Sequence, residues 1–331
     1  MAPGTAASTF LAGTPALGPH RPRALPLPKY PRGTPGPQCS NSTHDCNMTH
    51  TVKTSPLDRL AIDGQLLIAG AGNMGGALIA GWLERGLDPT RIIVQDPLPP
   101  PQVAELLGRH AVRVEPRLAA LDAPPAVMVL AVKPQVFDDV LGPLAHLAGP
   151  STVVLSIAAG RTIRGIERHC ARGTAIVRSM PNTPASIGRG ITVAVANPHV
   201  TPAQRASCDA LLRAVGEVAW SDQEDVLDAV TAVSGSGPAY VFYLTECLTE
   251  AAVSAGLEPT LARRLARSTV TGAGELLHRS PLEAAVLRQN VTSPNGTTQA
   301  ALQVLMADGG LGPLLRDAVA AAARRSRELA T

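Results

Sequence analysis

Two stretches combine residue types and spacing that can do chemistry. The first is Gly70-Ala71-Gly72-Asn73-Met74-Gly75, a G-x-G-x-x-G run. It follows the apolar segment Gln65–Ala69 and opens a segment with Met74, Ala77, Leu78 and Leu83 at helical spacing. In a strand–turn–helix unit, Gly70 allows the tight turn, Gly72 lets backbone approach a pyrophosphate, and Gly75 lets the helix lie close to the sheet. The helix N-terminus adds free N–H donors and a partial positive charge, so the run predicts dinucleotide binding. The second stretch is "NVTSPNGTTQAAL", Asn290–Leu302, where hydroxyls and amides surround a turn without one charged side chain. It reads either as a plain turn or as an uncharged ligand cradle made of hydroxyls and backbone N–H groups.

Other residues fall into place around the glycine run. Asp96 ends a second strand candidate, about twenty residues beyond Gly75, where an acid accepts from a ribose 2′-hydroxyl and repels a 2′-phosphate. That reading favours NADH over NADPH. A carboxylate just before Pro97 also caps turns, and both readings stay open at this point. Ala131, Val132, Lys133 and Pro134 end one buried strand, and Ile157, Ala158 and Ala159 end the next. Ligands of open α/β sheets sit beyond the C-terminal ends of the strands, so both loops belong to the cofactor crevice by position. Lys133 could meet a phosphate or the substrate, or simply be solvated. The small residues Ala158 to Gly160 leave room for a nicotinamide against the backbone.

Positioning these groups requires alternating strands and helices. "RIIVQD", "AVRV", "AVMVLAVKP", "TVVLSIAAG", "RGITVAVANP" and "GEVAWSD" are strand candidates, with helical runs between them. Near-continuous apolar runs mark parallel strands buried on both faces. The expected fold class is therefore an α/β Rossmann domain, a doubly wound parallel sheet, over residues 64–223. From residue 224 strand signals stop, and Ala- and Leu-rich helical runs predict an all-α dimerisation and substrate domain over 224–331. Residues 1–63 are Pro-rich and aperiodic and are expected to be a disordered N-terminal extension. Residues 1–47 are expected to be dispensable, with Met48 a candidate true start.

Composition removes several function classes. Three Phe, three Tyr and two Trp in 331 residues argue against base-stacking nucleic-acid platforms. The net charge of +3 sits in residues 1–63, and the remaining 23 Lys or Arg balance 23 Asp or Glu, so no polyanionic partner is expected. Cys39 and Cys46 with His44 fall short of a tetrahedral zinc set, so no metal is expected. Cys170, Cys208 and Cys247 read as reduced, mostly buried thiols of a cytosolic protein. The longest apolar run, 239–255, is too short and too polar to span a membrane and is expected in a core or at a subunit interface. His169, His199 and His278 show no carboxylate pattern, which argues against a His-based acid–base pair.

Taken together, "AGAGNMGGAL", "LAVKPQ", "SIAAG", "RSMPNTP", "VSGSGPAYVFYL" and "LRQNVTSPNGTTQAAL" resemble the Δ1-pyrroline-5-carboxylate reductases. The resemblance runs from about Leu66 to Leu329. It implies reduction of pyrroline-5-carboxylate to L-proline by NADPH or NADH, the last step of proline biosynthesis, in a homodimer or higher homo-oligomer. It also implies a substrate loop over Asn290–Thr298, with Thr297 and Thr298 near the substrate. The chemistry of imine reduction then makes Thr298 the expected catalytic donor, with Thr297, Ser236, Gly237 and Asn290 around the substrate. The chain departs from the family where Asn295 precedes Gly296 in place of a Gly-Gly pair. Two other readings remain, a β-hydroxyacid or 6-phosphogluconate-like dehydrogenase and a non-catalytic NAD(P)H-binding sensor. The first wants a Lys acid/base in the helical part, and residues 225–331 contain none.

Overall fold

The computed structural model describes residues 59–329. The expectations for residues 1–47, Met48, and the Cys39–His44–Cys46 cluster lie outside them. Eight strands form one sheet in the order β3-β2-β1-β4-β5-β6-β7-β8. In chain order the first part runs β1 (Leu66–Ala69), α1 (Asn73–Glu84), β2 (Ile92–Gln95), α2 (Pro101–Arg109), β3 (Arg113–Glu115), β4 (Val127–Leu130), α3 (Phe137–Leu144), β5 (Val153–Ser156) and α4 (Ile163–Glu167). It continues with β6 (Ala175–Met180), β7 (Gly190–Ala196), α5 (Pro202–Arg213) and β8 (Gly216–Ser221). Strands β1 to β6 are mutually parallel, β7 pairs antiparallel with β6, and β8 runs parallel to β7. The sheet is thus parallel over its first six strands, with two reversed strands at one edge.

The apolar runs explain the layering. Side chains alternate across a strand, so each central strand feeds two cores. Leu66, Ile68, Val127, Val129, Val153 and Leu155 face one core with Leu78, Ile79 and Trp82 of α1 and Leu211 and Leu212 of α5. Leu67, Ala69, Met128, Leu130 and Val154 face the other with Phe137, Leu141 and Leu144 of α3 and Ile163 and Ile166 of α4. The buried Trp82 indole N–H donates to the Leu211 carbonyl at 2.8 Å and locks α1 to α5. Contacts begin ahead of Gly64: Leu60 and Ile62 are buried, and the Leu60 N–H bonds the Arg85 carbonyl.

After β8 the described residues contain only helices. These are α6 (Val226–Val230), a π turn (Thr231–Gly235), α7 (Gly237–Ser254), α8 (Pro259–Arg279), α9 (Ala284–Asn290), α10 (Thr297–Leu305) and α11 (Leu311–Leu329). Helix α11 folds back on α6 and the π turn. There the Ser326 hydroxyl donates to Asp228 Oδ1 at 2.6 Å. Helices α7, α9 and α10 bury no residue, while Phe242, Tyr243, Val304 and Met306 are exposed. Of the two sites expected for the 239–255 run, a core or an interface, a core within one chain is therefore ruled out. No helix among the described residues is long and apolar enough to cross a membrane.

Candidate active site

The glycine run is the turn between β1 and α1. Gly70 has φ of 96°, and a Cβ there would stand 2.6 Å from the Ala131 carbonyl oxygen. A Cβ on Gly75 would stand 2.2 Å from the Gly70 carbonyl oxygen, so the helix can approach the strand only without one. Gly72, the N-cap of α1, is different: its φ is −67°, and nothing lies within 4 Å of where its Cβ would be. Two glycines are thus required by the fold, while the third opens onto free space at a helix N-terminus. Asn73 is exposed and Met74 half-buried beside it, with no acidic residue in the first turn of α1 to repel an anion. This is the form of a pyrophosphate cradle, and a dinucleotide fits the donor set.

Of the two readings left open for Asp96, the turn cap is present. Its Oδ1 accepts from the Leu98 N–H at 2.8 Å, closing the turn before α2. Its Oδ2 accepts from the Ala71 N–H at 2.7 Å, fastening the carboxylate to the glycine turn itself. The group is therefore held at the C-terminal end of β2, with lone pairs remaining on both oxygens.

The crevice lies where the strand order reverses, between β1 and β4. Ala131 leaves β4 with its N–H bonded to the Ala69 carbonyl at 2.8 Å, and Ile157 leaves β5 bonded to the Leu130 carbonyl at 3.1 Å. Ala131, Val132 and Pro134 are half-buried along its wall, and Lys133 is exposed at its mouth. Ile157 and Ala158 are buried and Ala159 half-buried on the adjacent loop. Arg161 joins these two loops. Its Nη2 donates to the Pro134 carbonyl at 2.6 Å, its Nη1 pairs with Asp138 at 2.9 Å, and its guanidinium lies 5.3 Å from the centre of the Phe137 ring. Asp138 also pairs with His169 at 3.0 Å, so that histidine does have a carboxylate partner, contrary to expectation. The two are 31 residues apart, and only the packing of α3 against α4 brings them together.

Strand β6 was not among the expected strands because Arg178 and Ser179 interrupt its apolar pattern. Arg178 is 6% exposed and paired with Glu224 at 2.7 Å. The same Glu224 oxygen accepts from the Ile163 N–H at 2.8 Å, at the start of α4. Glu224 therefore ties the first residue of the helical part to β6 and to the loop after β5. Asn182, also unassigned, donates to the Ser234 carbonyl at 3.2 Å and accepts from the Ile191 N–H at 2.9 Å. The Tyr240 hydroxyl donates to the Ala232 carbonyl at 3.0 Å. These two side chains satisfy carbonyls of the π turn, and single π turns recur at functional sites. The turn delivers Ser236 and Gly237 to the N-terminus of α7, where Gly237 faces open space.

The hydroxyl-rich loop is both a turn and a helix start. Asn295 takes φ of 58°, a left-handed conformation that Asn tolerates, and its N–H is capped by the Gln299 side chain. Asn295 therefore fills the place of the first glycine of the family pair. Gly296 is the N-cap of α10, and Thr297 and Thr298 are its first residues, exposed and half-buried respectively. Neither hydroxyl has a partner among the described residues, and Asn290 is exposed at the end of α9. One chain thus brings together the glycine turn, Asp96 and the loops after β4 and β5. No hydrogen bond or ion pair among the described residues joins Asn290–Thr298 to that crevice.

Comparison with known proteins agrees with this division. Residues 224–329 match the family model for pyrroline-5-carboxylate reductase dimerisation, and residues 65–160 match that for NADP oxidoreductase, coenzyme F420-dependent. The dimerisation match covers the helices whose apolar faces are exposed. A Pseudomonas aeruginosa pyrroline-5-carboxylate reductase is 41% identical over 266 residues, covering 80% of this chain and 97% of that protein. A Synechocystis pyrroline-5-carboxylate reductase is 42% identical, with 80% and 98% covered. Among solved structures, a pyrroline-5-carboxylate reductase from Coxiella burnetii superposes with a TM-score of 0.75 at 35% identity, covering 81% of this chain and 99% of that one. The Plasmodium falciparum pyrroline carboxylate reductase, solved with NADP bound, gives 0.69 at 26% identity, with 81% and 99% covered. The chain belongs to the pyrroline-5-carboxylate reductase family.

Proposed function

We propose that this chain reduces Δ1-pyrroline-5-carboxylate to L-proline with NAD(P)H, the last step of proline biosynthesis, as a homodimer or higher homo-oligomer in the cytosol. Residues 64–223 serve as the cofactor domain and 224–331 as the substrate and dimerisation domain. The observation that carries the reading is a pair of unpartnered Thr hydroxyls at a charge-free helix N-terminus, in a chain whose other half builds a dinucleotide crevice. A cyclic imine is basic enough to arrive protonated, so its reduction needs no strong general acid from the protein. Gly70–Gly75, Asp96, Ala131–Pro134 and Ile157–Ala159 would hold NAD(P)H, which would supply the hydride for the C=N carbon. Thr298 hydrogen-bonds the imine nitrogen and fixes the ring's orientation. Thr297, Ser236, Gly237 and Asn290 hold the substrate carboxylate through hydroxyl, amide and backbone N–H groups. Holding the ring against the reacting face supplies much of the acceleration.

The test is loss of reduced-nicotinamide absorbance with pyrroline-5-carboxylate, run with NADH and NADPH in parallel. Proline formation with either supports the reading. Cofactor binding without turnover would instead favour a non-catalytic sensor.

A further inference from the structure

The chain's own residues at the end of β2 bear on which cofactor it takes. From Asp96 to Gly108, through the turn and all but the last residue of α2, there is no Lys, Arg or His; Arg109 and His110 come only at the far, C-terminal end of that helix. The glycine turn and α1, residues 70–84, carry only Glu84. On the β3 side, Arg113 is engaged by Glu115 at 3.0 Å, and the Asp96 N–H bonds the Glu115 carbonyl at 3.1 Å. Gln95 is spent as well, its side-chain oxygen accepting from the Leu118 N–H at 3.0 Å. The one cation between Glu115 and β4 is Arg117, exposed in the turn beyond β3. A 2′-phosphate needs cations or N–H donors at this corner, but here the fixed charge is a carboxylate whose position is set by the Ala71 N–H.

We infer that Asp96 makes this chain NADH-selective: its carboxylate accepts from the adenosine ribose 2′-hydroxyl and repels a 2′-phosphate. The inference deepens the reductase reading and rests on it for the identity of the crevice. It runs against the expectation set by the NADP-bound Plasmodium relative.

The experiment titrates the full-length chain separately with NADH and NADPH, following reduced-nicotinamide fluorescence, and measures kcat/KM with pyrroline-5-carboxylate for each. NADH should be favoured in both by roughly ten- to a hundredfold, the scale on which like-charge juxtaposition suppresses a wrong partner. Asp96→Asn keeps an oxygen for the Ala71 N–H, gives up the exposed Leu98 N–H and removes the charge. It should narrow the ratio about tenfold, chiefly through tighter NADPH binding. Wild-type preference for NADPH, equal affinities, or a ratio unmoved in Asp96→Asn would overturn the inference. Selective NADH binding without turnover would leave the inference standing and sink the reductase reading. Binding of neither cofactor would overturn both.

Discussion

Gly72→Ala separates the cofactor's demands on the glycine turn from the fold's. At φ −67° and ψ −164° the residue sits in extended backbone open to alanine, and no atom lies within 4 Å of the new methyl. The apo protein should therefore lose little. A Gly→Ala change at a compatible site stabilises by about 0.4–1 kcal/mol through the unfolded chain, and alanine's poorer N-cap at the start of α1 offsets a similar amount. At about 2–4 °C per kcal/mol for a domain of this class, apo Tm should hold within about 2 °C. The cofactor meets the methyl where it must approach the backbone. Overfilling a close contact costs about 1–3 kcal/mol, which raises Kd roughly five- to 150-fold. Fluorescence titration reads this directly. Thermal unfolding reads it again, because ligand at one hundred times Kd adds about 2.7 kcal/mol, and a tenfold weaker Kd cuts that to about 1.4. Gly75→Ala is the contrast: its methyl meets the Gly70 carbonyl oxygen at 2.2 Å and should lower apo Tm. An unchanged Kd in Gly72→Ala would refute the cradle, and a drop of several degrees in its apo Tm would refute the claim that the space is free.

Removing the hydroxyl in Thr298→Ala should lower kcat/KM about ten- to a thousandfold, as expected for one preorganised donor, with apo Tm unchanged because the hydroxyl has no partner among the described residues. Wild-type kinetics would remove Thr298 from the mechanism. Glu224→Ala strands the Arg178 guanidinium in the interior and should cost about 2–4 kcal/mol in denaturant unfolding, the low side of a broken buried pair because Glu224 keeps some solvent contact. Glu224→Gln, which still accepts from the Ile163 N–H, should cost less, and equal losses would mean the charge is not what matters. Burial, reinforced by Glu167, pushes the Cys170 thiol up to about 11, and burial with Asp209 pushes Cys208 up to about 12. With unfolded thiols near about 8.5, both should alkylate at least about a hundredfold more slowly in folded protein at pH 8, read by peptide mass spectrometry. Both folded pKa values are raised, so their stabilising effect is complete below about pH 8.5 and is lost as pH climbs toward 11 to 12.

What could be read in the sequence was local. A strand buried on both faces shows itself as "LLIA" or "VMVL", because every side chain must be apolar whatever its neighbours are. The glycine spacing was legible for a similar reason, since positive φ and close approach act within one turn. What could not be read depended on a distant partner. Arg178 looks like a break in a strand until Glu224, 46 residues on, neutralises it. His169 looks isolated until Asp138 arrives from α3. Asn182 and Tyr240 show no role in the sequence until the π turn leaves carbonyls for them to satisfy. Arg161 is one residue past a recognised motif, yet its link to Pro134 exists only once two crossovers are folded. The reversal at β7 was equally hidden, because an apolar alternation does not record strand direction.

The hydroxyl-rich loop, too, depends for its order on distant partners. An 18-residue helix with nothing buried cannot repay its own ordering from propensity alone, since helices in proteins are stabilised mainly by packing an apolar face. Helices α9 and α10, which frame Asn290–Thr298, are in the same position. The faces that would stabilise them are the exposed apolar ones, and these lie within the residues matched by the dimerisation model. Burying those faces against a second copy therefore does two things at once. It gives the helical part the core it lacks, and it holds still the turn that presents Thr297 and Thr298. The proposed catalysis by an uncharged loop would have no strong acid to compensate for poor placement, so its rate would depend on that rigidity. Under the proposed function, assembly and chemistry would be coupled through packing, with Asn295, held in a left-handed turn, the point where that packing would set the loop's shape.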